Sequence, residues 1–317
     1  MNLGIIITGE IRSFLTDVVK TSFINMSNLC KMNYKKVIFF LIISDENYDK
    51  KCIQDFFSEL SCDFVIVDFI KYENEYIDYV NKKMNTEQFK KLKEDYFSRG
   101  SSAINYVYNI EDNTLLYNRQ PFQLKIGIKT LLDYENEKDC KFDIIMRTRF
   151  DMTYSETFFP YLPSGSIFNK LLFDDELKSR FLKKMKKYNI PLDYHSLVDF
   201  IKTQKYLDSC SLVNLDVADL TLGGHFCYNY PSVENIINGS DDILYMFNDF
   251  YYFSKREIFL KLYNFLDDYY MIESKIDIPH FYVTESQYCI FCYKHNINFV
   301  MYHPVDENGR LYEPYRI

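Results

Sequence analysis

Apolar residues in the first half of the chain fall in short unbroken runs separated by amphipathic stretches. Leu3–Thr8, Lys36–Ser44 and Asp63–Ile70 each read as a buried strand. Near-continuous apolar strands separated by helical patterns indicate a parallel sheet covered on both faces. The first gap opens with Gly9-Glu-Ile-Arg-Ser-Phe14 and continues as an amphipathic helix to about Leu29. The second predicts a helix from Asp45 to about Leu60. Residues 71–117 are polar and Tyr-rich, with a helix predicted from about Thr86 to Phe97 and a stop near Gly100. Asn118–Tyr134 carries the clearest helical signal. Asn118 can cap it, Pro121 suits its first turn, and Phe122, Ile126, Ile128, Leu131 and Leu132 form its buried stripe. It leads into a fourth strand, Phe142-Asp-Ile-Ile-Met-Arg-Thr-Arg-Phe-Asp151.

Beyond Pro160 and Pro163 the pattern changes. Ser166–Phe173 reads as a strand, and Asp174 to about Lys205 as charged helix broken at Pro191. Helices are predicted over 231–238, 241–253 and 255–272. Pro279–Val283, a helix over Glu285–His295 and a strand over Asn298–Tyr302 close the chain. No internal repeat, low-complexity segment or linker interrupts it. The expectation is one α/β domain over 1–317, with halves at about 1–165 and 166–317.

Composition narrows the class. At 317 residues and 47% hydrophobic content the chain can build a sizeable core, which excludes intrinsic disorder. The net charge of −8 argues against wholesale nucleic-acid binding, and the basic run Lys178–Lys187 reads first as a solvated helix face. Of eight cysteines only Cys289 and Cys292 form a CxxC. No second pair completes a zinc site, so buried free thiols in a reducing compartment are expected. No window approaches the roughly 18 apolar residues of a membrane span, and no secretory signal is visible. A cytoplasmic or cytosol-facing protein is the expectation.

The residues with the most chemistry are Arg147, Arg149 and Asp151. Alternation in a strand puts them on one face at its carboxyl end. There, two guanidiniums and a carboxylate suit a ligand carrying phosphate and a divalent metal. The structural alternative is an Arg–Asp ion pair that pins the loop after the strand. Gly9 and Arg12 follow the first strand, where a glycine permits close backbone approach to an anion; a turn glycine beside a solvent-facing arginine explains them equally well. Asp219 with Gly223, Gly224 and His225 forms a second cluster, either a turn or a sugar-facing loop. Glu285 opens a helix, where a capping role is the simple reading. His303 follows the last strand and could ligate a metal, although a lone histidine is more often structural. Walker A, nucleophile-elbow, zincin and kinase signatures are absent.

The order of these features resembles one group of nucleotide-sugar-dependent glycosyltransferases with the GT-A fold, similar to those that build lipopolysaccharide, capsule and large-virus glycans. The likeness rests on the strand–Gly-x-x-Arg opening, the helix Arg119-Gln-Pro-Phe-Gln-Leu-Lys125, the strand ending Arg-x-Arg-x-Asp, the Asp-x-x-x-Gly segment and the late Glu-led helix. It implies a GT-A-like, mostly parallel central sheet flanked by helices, with extra helices in the second half. The first half would bind the nucleotide sugar and the second would face the acceptor. It further implies a nucleoside-diphosphate sugar donor and a glycan or other hydroxyl acceptor. Asp151 would be a ligand to Mn²⁺ or Mg²⁺, with His303 a second candidate, and Arg147 and Arg149 stand where a typical Asp-x-Asp has another carboxylate. Gly9 and Arg12 would lie beside the nucleotide. Asp219 and Glu285 would be the candidate catalytic groups on the acceptor side. A sugar-phosphate nucleotidyltransferase is disfavoured because Gly9-Glu-Ile-Arg-Ser is poor in glycine and lysine. A non-catalytic nucleotide- or glycan-binding scaffold stays open.

Overall fold

A computed structural model describes residues 1–87 without 13 and 46, then 119–153, 243–247, 251–268 and 297–301; it adds the pairs 108–109, 114–115, 213–214 and 303–304 and the single positions 90, 94, 288, 291, 292 and 295. The chain runs β1 (Asn2–Gly9), α1 (Asp17–Asn33), β2 (Lys36–Ile43), α2 (Lys50–Glu59), β3 (Asp63–Asp68), a 3-10 turn (Phe69–Tyr72) and α3 (Glu73–Met84). It continues through β4 (Tyr108–Asn109), β5 (Thr114–Leu115), α4 (Arg119–Lys138), β6 (Ile144–Arg149) and β7 (Val213–Asn214). The last elements are β8 (Ile243–Phe247), β9 (Tyr251–Lys255), α5 (Arg256–Lys261), a 3-10 turn (Leu262–Asn264), α6 (Phe265–Asp268), β10 (Asn298–Met301) and β11 (His303–Pro304).

Seven strands form one sheet in the order β10-β8-β9-β6-β1-β2-β3. β9 is antiparallel to both of its neighbours, and every other pairing is parallel. The architecture is therefore α/β around a mixed, mostly parallel sheet, as the apolar runs predict. β1 and β2 are buried along almost their whole length, which is why their sequences are apolar throughout rather than alternating.

The two faces of the sheet are covered differently. On one, α4 lies so close that glycines are required at the crossing. A Cβ on Gly127 would stand 2.5 Å from Ile6 Cγ2, and one on Gly4 would stand 2.9 Å from Leu131 Cδ1. On the other, Phe39 meets Phe57 of α2, and Phe57 stacks on Phe14, which also meets Phe23 of α1. Behind α4, the buried carboxylate of Glu135 accepts from the Phe142 backbone N–H at 2.9 Å and takes a two-pronged guanidinium from Arg256, with Nη2 at 2.6 Å. Arg256 in turn donates its backbone N–H to the Asp143 carbonyl. The end of α4, the start of β6 and the β9–α5 junction are thus tied at one point.

Several sequence expectations change. Within the helix predicted over 241–253, the described residues are strands instead: β8 and β9 occupy 243–247 and 251–255 as an antiparallel pair. An apolar run this short fits either period, and its Tyr and Phe residues favour the pleated sheet. The helix expected from Asp45 begins at Lys50, because Asp49 caps it by accepting from the Cys52 N–H at 3.0 Å. The third strand ends at Asp68, and the polar stretch beyond it contains α3. Around the predicted Thr86–Phe97 helix, positions 87, 90 and 94 are helical. Tyr288, Phe291 and Cys292 are helical within the segment predicted over Glu285–His295. The predicted elements over Ser166–Phe173, 174–205, 231–238 and Pro279–Val283 lie outside the described residues. Cys30, Cys52, Cys62, Cys140 and Cys292 are free thiols. Among the described residues no helix is long and apolar enough to cross a membrane.

Candidate functional site

From β1 the chain steps outward to β2 and β3, then returns to place β6 on the opposite side of β1. The carboxyl ends of β1 and β6 therefore flank the switch point of the sheet, where an open α/β sheet has its usual ligand crevice. The first loop begins at Gly9, whose φ of 120° puts it in a region that side-chain-bearing residues rarely adopt. Its carbonyl accepts from the Ser44 N–H at 3.1 Å. The Ile11 N–H then donates to the Asp45 carboxylate, which fixes the loop against the end of β2.

Arg12 projects from this loop, mostly exposed, and pairs with Glu10. The hydrogen bond that Arg12 donates to Glu10 raises the guanidinium pKa, with the charges of Glu10, Asp45 and Asp151 adding to it against slight burial. That arginine stays charged under all working conditions. Its direct partner is Glu10, and the charges of Asp45 and Asp151, beyond the ends of β2 and β6, also reach it.

The strand-end arginines part company. Arg147 is only 1% exposed and donates to the Thr8 hydroxyl from Nε at 3.1 Å and Nη2 at 2.8 Å. Nη2 also reaches Gln120 Oε1 at 3.2 Å, and the guanidinium lies 5.4 Å from the Tyr252 ring centroid. Arg147 thus knits β1, β6, β9 and the first turn of α4 together beneath the crevice. Arg149, one-fifth exposed, clamps Asp151 through two bonds, Nε–Oδ1 at 2.8 Å and Nη2–Oδ2 at 2.7 Å. The ion-pair alternative read from the sequence is the one realised for these two. Between them, Phe150 turns inward and packs edge-on against Phe14, joining the two loops at 5.4 Å.

Beside Arg12 an open cleft of about 340 Å³ is lined by Ile11, Leu15, Asp45, Asn47, Tyr48, Asp49 and Ile53. Its volume lies at the lower end of the range for small-molecule sites. Tyr48 is held in place by donating its hydroxyl to Asp68. Burial, then that bond, raises the phenol pKa, and the same bond lowers that of the Asp68 carboxyl. The cleft is acidic along its far wall and cationic at Arg12.

The divalent cation implied by the resemblance does not fit these side chains as they stand. Both oxygens of Asp151 are engaged by Arg149, and among the described residues no three His, Cys, Asp or Glu side chains converge to hold a metal. His303 belongs to β11, which pairs with β7 through Asn214. Asp219, Gly223, Gly224 and Glu285 lie outside the described residues.

Gly9, Arg12, Arg149 and Asp151 are thus brought together, with Arg147 beneath them. Thr8, Asp45 and Asp49 escaped the sequence reading. The signal for Asp45 was a carboxylate immediately after the second apolar run, facing the loop that follows the first. Compared with protein-family models, curated proteins and solved structures, the chain matches none.

Proposed function

We propose that the chain is a glycosyltransferase that moves a sugar from a nucleoside diphosphate to a hydroxyl acceptor. The observation that carries the reading is the placement of Gly9, Arg12, Arg149 and Asp151 at the switch point of a mostly parallel sheet, beside the Asp45–Asp49 cleft. A nucleoside diphosphate has two chemically distinct ends, and the cleft together with the end of β6 offers partners for both. Asp45, Asn47 and Asp49 offer acceptors to ribose hydroxyls and base N–H groups, and Arg12 and Arg149 offer guanidinium forks to the diphosphate. The resemblance of the sequence motifs points the same way.

In this reading the arginines stabilise the negative charge that builds on the leaving diphosphate. Such stabilisation accelerates transfer because it is stronger in the transition state than with the intact donor. An inverting reaction needs a base at the acceptor hydroxyl, and Asp219 followed by Glu285 are the proposed candidates. The Arg149–Asp151 clamp favours one second reading, a nucleotide- or glycan-binding scaffold without turnover.

The test is a thermal-unfolding panel of nucleoside diphosphates and nucleotide sugars, with and without Mn²⁺, followed by transfer assays with any donor that binds. A nucleotide at a hundred times its Kd adds about 2.7 kcal/mol. In a chain this long that raises Tm by about 5 °C. Selective stabilisation with turnover supports the transferase, and stabilisation without turnover supports the scaffold. No shift with any nucleotide would refute both.

A further inference from the structure

We infer that Arg149, assisted by Arg12, is a phosphate-binding fork that the chain's own carboxylates occupy, with Asp151 a competitor for the incoming phosphate rather than a cation ligand. The inference rests on the nucleotide reading above and specifies how that site is held before a ligand arrives.

The geometry of the clamp is the starting point. Asp151 presents two oxygens to Nε and Nη2 of Arg149 at 2.8 and 2.7 Å. This is the parallel, two-bond edge by which a guanidinium takes a phosphate. A carboxylate seated in this way satisfies the arginine in the same plane and with the same kind of bonds as the ligand would. Glu10 holds Arg12 by a single bond, from Nε to one carboxylate oxygen.

The clamp is also placed to open. Arg149 is the last residue of β6, while Asp151 lies beyond the strand, in the turn. Releasing their bond therefore breaks no sheet ladder. Both side chains are one-fifth exposed, so water reaches them and each can be solvated when they part. A two-bond pair is stronger than an ordinary surface pair, so only a ligand that matches both bonds can replace Asp151. Contrast Arg147, which is buried and held by Thr8 and Gln120 inside the fold. The two arginines look alike in sequence, but only Arg149 stands where an external anion can replace its partner.

Charge settles the sign of the effect. Glu10 pairs with Arg12, Asp151 clamps Arg149, and Asp45, held by the Ile11 N–H, lines the cleft beside Arg12, so each arginine already faces acidic groups. An anion entering here must displace or tolerate them. Removing the Asp151 charge weakens its hold on the Nε–Nη2 edge of Arg149 and deletes a repulsion, so phosphate affinity rises. If Asp151 instead held a cation that in turn held the diphosphate, removing its charge would weaken binding. The two mechanisms predict opposite changes for one substitution.

The experiment is calorimetric titration of inorganic pyrophosphate into the full chain in EDTA and, separately, with Mn²⁺. The proteins are wild type, Asp151→Asn, Glu10→Gln and Arg149→Gln, with unfolding curves recorded for each. In EDTA, Asp151→Asn should bind about two- to tenfold more tightly than wild type, Glu10→Gln should shift less in the same direction, and Arg149→Gln should bind more weakly. Glu10→Gln alters only an exposed pair, so it keeps the test decisive if Asp151→Asn folds poorly. Weaker binding by Asp151→Asn, or binding that needs Mn²⁺ and is lost in that variant, overturns the inference and leaves the nucleotide reading standing. Absence of pyrophosphate binding by wild type and both carboxamide variants also overturns it. The nucleotide panel then decides separately whether the larger reading falls as well.

Discussion

Arg256→Met should be the more damaging half of an asymmetric pair of substitutions at the Glu135–Arg256 brace. The Glu135 side chain is 4% exposed and that of Arg256 is 21% exposed. Removing the arginine strands a carboxylate that cannot reach water; removing the carboxylate leaves a guanidinium that can turn toward solvent. Breaking a buried pair from one side costs about 3–5 kcal/mol. The cost of Arg256→Met is capped by protonation of the stranded acid, which at pH 7 amounts to about 3–4 kcal/mol. Glu135→Met should cost about 2–3 kcal/mol, much of it from the Phe142 N–H that loses its acceptor. The double variant should cost less than the sum, since neither charge is then left alone. The assay is urea unfolding followed by circular dichroism, because the chain has no tryptophan. Curves at pH 7 and pH 5 supply the sharpest check. In Arg256→Met the folded state holds a proton that the unfolded state gives up, so its deficit should shrink as the pH falls. A loss below about 1 kcal/mol, or one indifferent to pH, would refute the reasoning.

Two further outcomes follow from other contacts. Gly127→Ala gains about 1 kcal/mol of helix propensity but forces a methyl against buried Ile6 at 2.5 Å, so a net loss of about 1–2 kcal/mol is expected in thermal melts; an unchanged Tm would show that α4 can shift. The hydrogen bond from Tyr48 is the largest cause of the lowered Asp68 pKa, with Lys50 and Lys71 adding to it against burial. A carboxyl lowered in the folded state stabilises above its ordinary range and loses that contribution as pH falls through the folded value. Tyr48→Phe should therefore cost about 1 kcal/mol at pH 7 and flatten the stability profile below about pH 4, and identical acid limbs for the two proteins would contradict it.

The parallel half of the sheet was legible because β1, β2 and β6 are buried on both faces and read as unbroken apolar runs. The β8–β9 pair was not. Its Ile-Leu-Tyr-Met-Phe and Tyr-Tyr-Phe segments satisfy helical and extended periods equally over so few residues. α3 escaped because its inner side includes Tyr76 and Tyr79, and tyrosines in a charged stretch read as surface. Both tyrosine rings pack on Phe122 of α4. At the site, strand-end position identified Gly9, Arg12, Arg149 and Asp151. Parity within the strand could not say that Arg147 is sealed in while Arg149 reaches water. That difference comes from Thr8, Gln120 and Tyr252 closing around Arg147, a tertiary fact. The acidic wall at Asp45 was hidden for a similar reason, since its partner, the Ile11 N–H, belongs to the loop of another strand.

Phe14 touches Phe23, Phe56, Phe57 and Phe150, so the loops bearing Arg12 and Asp151 stand on one shared floor of rings. A loop free in solution loses about 1–2 kcal/mol per residue when a ligand orders it. At Phe14 and Phe150, beside Arg12 and Asp151, much of that ordering is already done. Recognition at this crevice would then proceed by exchange of partners on a fixed scaffold, fast to enter and fast to leave. Selectivity would reside in which anion fits the forks, not in whether the backbone closes.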